Sequence, residues 1–535
     1  MRKFLPAVLA LFFSLLILAM TGVPDPVNAF ARFQQQAAYA GELQTYLENQ
    51  MKTYKIPGMA VAIVRNGEVE YLDGLGIANP DGDAVTPETP FLLASVSKSM
   101  TAAAVMQLIE AGKINLEDPV EKFLPWFGVS GEDGSKITVA QLLYQTSGFS
   151  YIDGVQANLK PDTPDALETG VRELAAGSLE FNPGDGWEYS NLNYAVLGLL
   201  IQQVSGQRYE DYIQDHIFTP LEMDHSYTSM SAARAGGAAS GYYPFFGIPV
   251  VYDKSMAYSR ATLPSGGLWS SASDMSRYLI AHLNGGRYNQ TALLSSASID
   301  TLHQPGYRFD DEQGYAMGWI VVNGFMTPEL LEPIDTELKD YGKLTVLFHE
   351  GDWTNYKSMA FLIPEIDYGV ILLMNTNNPT ITSGFRFFAW DVTLIATGGE
   401  PQYFPPAEDF IVRSSRWIFS ALSLLLAAGP LWSFRTLKKI QQDGSNSNAS
   451  TRTVLFQAAI PILMVIALNG YIFLKLLPDN GANLRTLFGF APDLGILVLL
   501  VLLFSIVWGM ISIAIFGSIW KRSRKVILAK EASTG

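Results

Sequence analysis

A serine and a lysine stand three residues apart where a turn is expected to lead into a helix. Residues 94–98 read ASVSK, and the apolar pattern that follows predicts a helix to residue 111. Positions i and i+3 share one face of a helix, so Lys98 is expected to reach the hydroxyl of Ser95. A buried lysine can take the proton of a serine, and a helix N-terminus favours the negative charge that develops there. The stretch predicts Ser95 as a nucleophile.

The S-x-x-K spacing is not specific by itself. It recurs from Ser518 to Lys521, at the end of an apolar segment where no catalysis is expected. Ser97 is the local rival to Ser95, but Met100 rather than a lysine stands three residues after it. The interpretation therefore depends on further motifs.

A second motif, YSN at residues 189–191, offers a phenol and an amide. Tyr189 could pass a proton to a leaving group, and Asn191 could hold a substrate amide by hydrogen bonds. The structural alternative is a helix start, with Ser190 or Asn191 capping an apolar helix at residues 194–204. The two interpretations are compatible.

A third motif, HEG at residues 349–351, follows the strand-like run 344–348. Glycine at a strand edge lets another backbone approach closely, here that of a substrate. The amide of Asp352 would then point at an oxyanion. The structural alternative is that His349 is only a surface or capped residue.

Strand-like runs occur near both ends of the first 400 residues, with helical patterns between them. The first two runs flank Arg65-Asn66-Gly67, which is a hairpin signal. The order predicts an α+β fold: an antiparallel sheet, completed by both ends of the domain and flanked by helices, with an all-helical insertion. Strands are expected at residues 58–64, 68–75, 315–322, 344–348, 358–363 and 368–374, and helices at 98–111, 139–144, 194–204, 273–282 and 391–396.

In this order, the three motifs resemble those of the serine β-lactamase/penicillin-binding family of the class C type, which includes DD-peptidases, esterases and D-amino-acid peptidases. The resemblance covers about residues 40–398 and implies the β-lactamase/DD-peptidase fold. Further similar segments are residues 56–62, 116–120, 123–125, 137–143 and 145–148, and Gly266-Gly267-Leu268 with Ser271 and Asp274.

The resemblance implies a role for each motif residue. Ser95 would form the acyl-enzyme, and Lys98 and Tyr189 would share proton transfer in acylation and deacylation. Asn191 would bind substrate. The backbone N–H groups of Ser95 and Asp352 would form the oxyanion hole.

The third motif departs from the family pattern, because HEG replaces KTG. His349 stands where many relatives have a lysine that attracts a substrate carboxylate. A histidine does so only when protonated, and Glu350 and Asp352 add negative charge nearby. This weakens the case for β-lactam hydrolysis or carboxypeptidation and leaves room for ester, amide or D-amino-acid peptide substrates. A second departure is Gln145, where relatives often have histidine.

Composition excludes several classes of site and partner. The chain has no cysteine, and its five histidines form no HxxxH or HxH pair, so no metal or cofactor is expected. Residues 30–416 hold 23 Lys/Arg against 46 Asp/Glu, an acidity that would repel nucleic acid. The expected partners are a small peptide or ester substrate, with β-lactams as candidates, and membrane lipid.

Membrane segments are expected at both ends of the chain. Met1-Arg2-Lys3, the apolar run 4–20 and the small-residue site 27–29 form a signal-peptide pattern, with an uncleaved anchor helix as the alternative. Near the C-terminus, residues 417–434, 454–474 and 494–520 carry no charge and are long enough to cross a bilayer.

Charges beside these segments indicate an orientation. Lys/Arg residues cluster in the loop 435–453 and after residue 520, which places both in the cytoplasm and residues 30–416 outside. The predicted units are a signal peptide (1–29), a hydrolase domain (30–400), a joint (401–416), three transmembrane helices (417–525) and a cytoplasmic tail (526–535).

Together these features predict a membrane-tethered extracytoplasmic serine hydrolase that acts through an acyl-enzyme on peptidoglycan-related peptide, amide or ester substrates. The alternative is a catalytically weak penicillin-binding or cell-wall-sensing membrane protein.

Overall fold

The computed structural model describes residues 26–128, 136–157, 160–175, 178–253, 258–324, 344–377, 385–402, 410–442, 451–477 and 483–534. The strands are β1 Gly58–Arg65, β2 Glu68–Gly76, β3 Phe91–Leu92, β4 Tyr242–Phe245, β5 Ile248–Val251, β6 Trp269–Ser270, β7 Arg287–Tyr288, β8 Thr291–Ala292, β9 Tyr307–Arg308, β10 Gln313–Tyr315, β11 Ile320–Asn323, β12 Thr345–Asp352, β13 Lys357–Ile363 and β14 Tyr368–Met374. The helices are α1 Pro26–Tyr54, α2 Ser97–Glu110, α3 Val139–Leu143, α4 Tyr151–Ala157, α5 Ala166–Ala175, α6 Asn191–Ser205, α7 Tyr209–Ile213, α8 Met230–Ala235, α9 Ala272–Leu283, α10 Ser296–His303, α11 Phe385–Ala396, α12 Phe410–Gln442, α13 Thr451–Tyr471, α14 Leu484–Phe490 and α15 Pro492–Thr534.

An eight-stranded antiparallel sheet forms the centre of the domain predicted between residues 30 and 400. Its order is β2-β1-β14-β13-β12-β11-β10-β9, so the N-terminal hairpin pairs with the last strand. The hairpin turns at Asn66 and Gly67, which both have positive φ as a two-residue type I′ loop requires. The predicted α+β fold, with its sheet completed by both ends of the domain and its helical insertion, is confirmed.

The central strands β1, β13 and β14 are buried on both faces of the sheet. Val61 packs into a core shared with α1 and α11, whereas its neighbour Ala62 packs into the core of the helical insertion. Successive residues of a strand point to opposite faces, so a strand between two cores must be apolar throughout. This explains why the run 58–64 lacks polar alternation.

One predicted strand, at residues 315–322, is wrong in detail. The chain forms two strands there, β10 and β11, which pair with each other across a tight turn. Gly318 in this turn has φ 79°, and a Cβ at this position would lie 2.7 Å from the Ser99 amide nitrogen. Helix α2, which contains Ser99, therefore lies against the turn where the apolar pattern suggested one continuous strand.

Of the three predicted C-terminal transmembrane helices, the described residues support two. Two helical segments are long and apolar enough to cross a membrane, Ser414–Arg435 in α12 and Pro492–Ile515 in α15. The apolar part between them, Pro461–Leu476, is shorter.

Helices α12 and α15 run side by side in the same direction. Near the starts of the two helices, Arg416 Nε lies 2.5 Å from Asp493 Oδ2, and further along the rings of Trp432 and Trp508 lie 6.4 Å apart. Helix α13 packs antiparallel against α15, since Asn469 Nδ2 donates to Ser505 Oγ at 3.0 Å and Val465, one turn earlier, lies beside Gly509, one turn later.

The predicted signal peptide lies mostly outside the described residues, which begin at Pro26. Residues 27–29, the candidate cleavage site, lie within α1. The predicted tail from residue 526 continues α15 as far as Thr534.

Candidate active site

Ser95 lies in the short turn between β3 and α2. It is partly exposed, while its neighbours on both sides are buried. Ala94 before it has φ 46°, a left-handed conformation that is uncommon for a residue with a side chain. The turn is held in place because Leu93 N–H donates to Leu268 O at 2.9 Å and Ser358 Oγ donates to Leu93 O at 2.6 Å.

The Lys98 side chain is fully buried and reaches the Ser95 hydroxyl. Its Nζ lies 3.1 Å from Ser95 Oγ, 2.7 Å from Asn191 Oδ1 and 2.5 Å from Ser265 O. Burial lowers the pKa of Lys98 well below its ordinary value. A neutral amine has two N–H groups and one lone pair; with the N–H groups directed to the two carbonyl oxygens, the lone pair is free to face Ser95 Oγ.

Tyr189 contacts the same hydroxyl from the other side, with its OH 2.9 Å from Ser95 Oγ. Burial raises the pKa of Tyr189 well above its ordinary value, so the resting side chain is a neutral phenol. Ser190 is the N-cap of α6 and accepts a hydrogen bond from Leu192 N–H. Both interpretations of the YSN motif therefore hold, and the helix start is what directs Tyr189 and Asn191 towards the site.

Gln145 supports this helix start, a role that the sequence did not reveal. Its side chain is fully buried, and its Oε1 accepts from Ser190 N–H at 3.0 Å and from Asn193 Nδ2 at 2.5 Å. Its departure from the family pattern was visible, but the partners come from a segment more than 40 residues later.

His349 is buried, so the surface alternative for this residue is wrong. Its Nδ1–H donates to Glu350 O at 2.7 Å, and its ring lies 6.2 Å from that of Tyr189. Its Nε2 is buried and has no hydrogen-bond partner among the described residues. Burial lowers the pKa of His349 to about 3, so the imidazole is neutral at ordinary pH.

Position 351 must be glycine, because neighbouring atoms leave no room for a side chain there. A Cβ there would lie 2.1 Å from Ser358 Oγ and 2.2 Å from Leu93 O. The backbone that approaches is the turn of the chain itself beside Ser95, whereas the sequence suggested that of a substrate. On its β11 side, β12 has no described pairing beyond Phe348, so the edge from His349 to Asp352 faces the site.

A buried lysine, Lys357, fixes this end of β12. Its Nζ lies 2.6 Å from Glu350 Oε2 and 2.6 Å from Asp352 Oδ1. Burial lowers the pKa of Lys357, but the two carboxylates outweigh burial and the net direction is upward. Lys357 thus binds the side chains of Glu350 and Asp352, a contact that the three motifs did not indicate, although a lysine at the start of an apolar strand is a usable signal.

An aromatic wall lines the site next to Tyr189. The Trp187 ring lies 4.8 Å from that of Phe309 and 5.8 Å from that of Tyr315. Phe309 is exposed, so an apolar surface is open to a bound molecule.

The rival nucleophile Ser97 has a structural role. Its Oγ is buried and accepts from Leu268 N–H at 3.2 Å. Among the described residues, no group of three His, Asp or Glu side chains could hold a metal ion.

Comparison with known proteins shows the family and the fold of the chain. The β-lactamase family profile matches residues 43–386. The protein flp of Staphylococcus aureus (strain MW2) is 30% identical over 341 residues, which are 63% of this chain and 63% of that protein. The chain thus spans less than two thirds of the length of this relative.

Two solved structures share the fold. The octameric penicillin-binding protein homologue from Pyrococcus abyssi superposes with a TM-score of 0.57 at 27% identity, covering 68% of this chain and 79% of that one. The D-alanine carboxypeptidase AmpC from Burkholderia cenocepacia gives a TM-score of 0.53 at 24% identity, covering 66% and 99%.

Proposed function

Because the chain belongs to the β-lactamase family, we propose that it is a membrane-tethered serine hydrolase in which Ser95 forms an acyl-enzyme with ester, amide or peptide substrates. The observation that carries this proposal is the position of Ser95 Oγ, 3.1 Å from Lys98 Nζ and 2.9 Å from Tyr189 OH.

In acylation, Lys98 acts as the general base. Its neutral amine takes the proton of Ser95 as Oγ bonds to the substrate carbonyl carbon. The resulting oxyanion accepts hydrogen bonds from the backbone N–H groups of Ser95 and Asp352. Tyr189 then gives its proton to the leaving nitrogen or oxygen and regains one from Lys98. In deacylation a water molecule takes the place of the leaving group, and the same residues carry its proton back to Ser95.

The neutral state of His349 affects which substrate charge the site favours. A neutral imidazole offers an acceptor at Nε2 and no charge for a carboxylate, and Lys357 is already bound by two acids. The exposed aromatic wall at Phe309 favours an apolar group. We therefore expect neutral ester or amide substrates to react faster than peptides that end in a free carboxylate.

The two apolar segments support a membrane tether. Arg416 and Asp493 place the starts of Ser414–Arg435 and Pro492–Ile515 at one level, beside the hydrolase domain. Positive charge in the loop 435–453 and after residue 520 favours the cytoplasm, so the hydrolase domain lies outside.

The test is turnover of a nitrophenyl ester by the full chain in detergent. The wild type and Ser97→Ala should release nitrophenol continuously, and Ser95→Ala should not. Release by Ser95→Ala at the wild-type rate would refute the proposal. A burst of one equivalent without turnover would instead identify the slow, penicillin-binding alternative.

A further inference from the structure

The hairpin β4–β5 carries a concentration of exposed apolar side chains. Of the nine large apolar side chains that are exposed in the described part of the hydrolase domain, four lie in this hairpin. They are Phe246, Ile248, Val250 and Val251, which are 48, 65, 47 and 39% exposed. Residues 242–251 carry no charge, in a domain that is otherwise strongly acidic.

The hairpin tip holds a bulky residue in an unfavourable conformation. Phe246 and Gly247 form the two-residue loop, with φ 49° and 79°, which is the type I′ pattern. Asn or Gly normally occupies the first of these positions, because a left-handed conformation is strained for an aromatic residue. A strained residue that persists at a tip indicates a use for its side chain.

The tip lies at the level where both apolar helices begin. Phe246 N–H donates to Asp493 Oδ2 at 3.3 Å, and Tyr243 OH lies 2.6 Å from Asp493 Oδ1. Arg416 Nη2 donates to the same Tyr243 oxygen at 3.1 Å. Asp493 and Arg416 belong to the first turns of the segments Pro492–Ile515 and Ser414–Arg435.

A second marker gives the same level. Trp417, next to Arg416, is 78% exposed. Tryptophan concentrates where the hydrocarbon core of a bilayer meets the headgroups. An uncharged apolar hairpin at this height would meet lipid.

From these observations we infer that the β4–β5 hairpin inserts its tip into the outer leaflet of the bilayer that α12 and α15 cross. The partner is the phospholipid interface, and Phe246 and Ile248 are the inserted side chains. The inference rests on the proposed tether, because the height of the hairpin is set by those two segments. Insertion adds a third point of attachment and prevents the hydrolase domain from rocking about the Arg416–Asp493 contact.

The absence of cysteine from the chain makes the test direct. Single cysteines are introduced as Ile248→Cys, Leu503→Cys and Val69→Cys, labelled with an environment-sensitive fluorophore, and the full chain is placed in phospholipid nanodiscs with a nitroxide high on the acyl chains. Leu503 is an exposed residue of α15. Val69 is also exposed, but it lies on β2 at the end of the hairpin β1–β2 remote from Lys55, whose Nζ contacts Gly247 O.

We expect the label at 248 to be quenched about two-fold more than the label at 69, as for a side chain held in the interface. Quenching at 503 but not at 248 would overturn the inference and leave the tether intact, and it would point to a protein partner for the hairpin. Absence of quenching at 503 would reject the tether, and the inference with it. Neither result bears on Ser95, whose turnover is measured separately.

A second variant separates insertion from folding. Phe246→Asn supplies a residue that the type I′ turn favours, so the thermal stability of the chain in detergent should stay the same or rise. The same change should reduce the quenching of a label carried at Val250→Cys. Unchanged quenching there would remove the role assigned to Phe246.

Discussion

Two lysines are buried in the candidate active site, and their surroundings favour opposite protonation states. Lys98 meets only neutral acceptors, so burial lowers its pKa. Lys357 is buried as completely but touches two carboxylates, and its pKa is raised. Burial disfavours a charge, and a neighbouring acid restores it. One end of the site thereby holds a base, and the other holds a fixed cation.

The largest effect is expected from removing the base. Lys98→Arg keeps a cation that cannot be deprotonated, so ester turnover should fall by about 10²–10⁴-fold, as for the loss of a general base. Lys98→Met should lose a similar factor; the chain should stay folded, with a loss of thermal stability limited to the hydrogen bonds that Asn191 Oδ1 and Ser265 O no longer accept. Turnover near the wild-type level in both variants would show that a neutral Lys98 is not needed for catalysis.

At Gly351, strand β12 packs closely against the turn that carries Ser95. A larger residue there should misalign β12 and this turn. Gly351→Ala forces β12 away from the turn at Leu93, so kcat should fall on the order of 10²-fold while the chain remains folded. Gly41→Ala is the matched control, since a Cβ there meets no atom within 4 Å. Equal kcat in the two variants would mean that the approach of β12 does not position the oxyanion hole.

Lys357→Met removes the fixed cation and should act mainly on stability. It leaves Glu350 and Asp352 without their lysine, at a cost of about 2 kcal/mol in the free energy of unfolding. Denaturant titration of the full chain in detergent measures this loss. Lys122→Met breaks the exposed pair with Asp118 and should cost little. Similar losses in both variants would count against a structural role for buried charge at β12.

Two histidines behind helix α2 are kept neutral by burial, as Lys98 is. His282 Nδ1 lies 3.0 Å from His303 Nε2, and burial lowers the pKa of both, that of His303 to about 4. The unfolded chain binds protons near pH 6.5 and the folded chain does not. The contribution of this pair to the free energy of unfolding should therefore be fully present above pH 6.5 and should be lost as the pH falls towards 4.

This pH dependence of stability, a smaller effect than those above, is measured by comparing the midpoint of thermal unfolding at pH 7 with that at pH 5. His303→Gln should narrow the difference between them, because it removes one group that prefers to be protonated in the unfolded chain. A midpoint that does not depend on pH in the wild type would contradict the neutral state of the pair.

The sequence predicted the parts of the site that depend on local spacing. The i, i+3 relation brought Lys98 to Ser95, and the apolar runs located seven of the eight sheet strands to within a few residues, apart from the division between β10 and β11. Ser265 O could not be predicted as a Lys98 partner, because the contact joins residues 167 positions apart.

The errors have the same origin. The run 315–322 looks like one strand until the nucleophile helix is packed against Gly318. The state of His349 depends on burial by segments distant in sequence, so the sequence could raise the question of its charge without deciding it.

The central claim is that a neutral Lys98 activates Ser95, and the rate of covalent labelling tests it most directly. The full chain is treated with a fluorophosphonate between pH 5 and pH 11, and the modified peptide is identified by mass spectrometry. We expect the adduct on Ser95, at a rate that rises with pH around a midpoint well below the ordinary lysine value of about 10.5 and that collapses in Lys98→Met. An adduct on Ser97, or a midpoint at or above that ordinary value, would contradict the account.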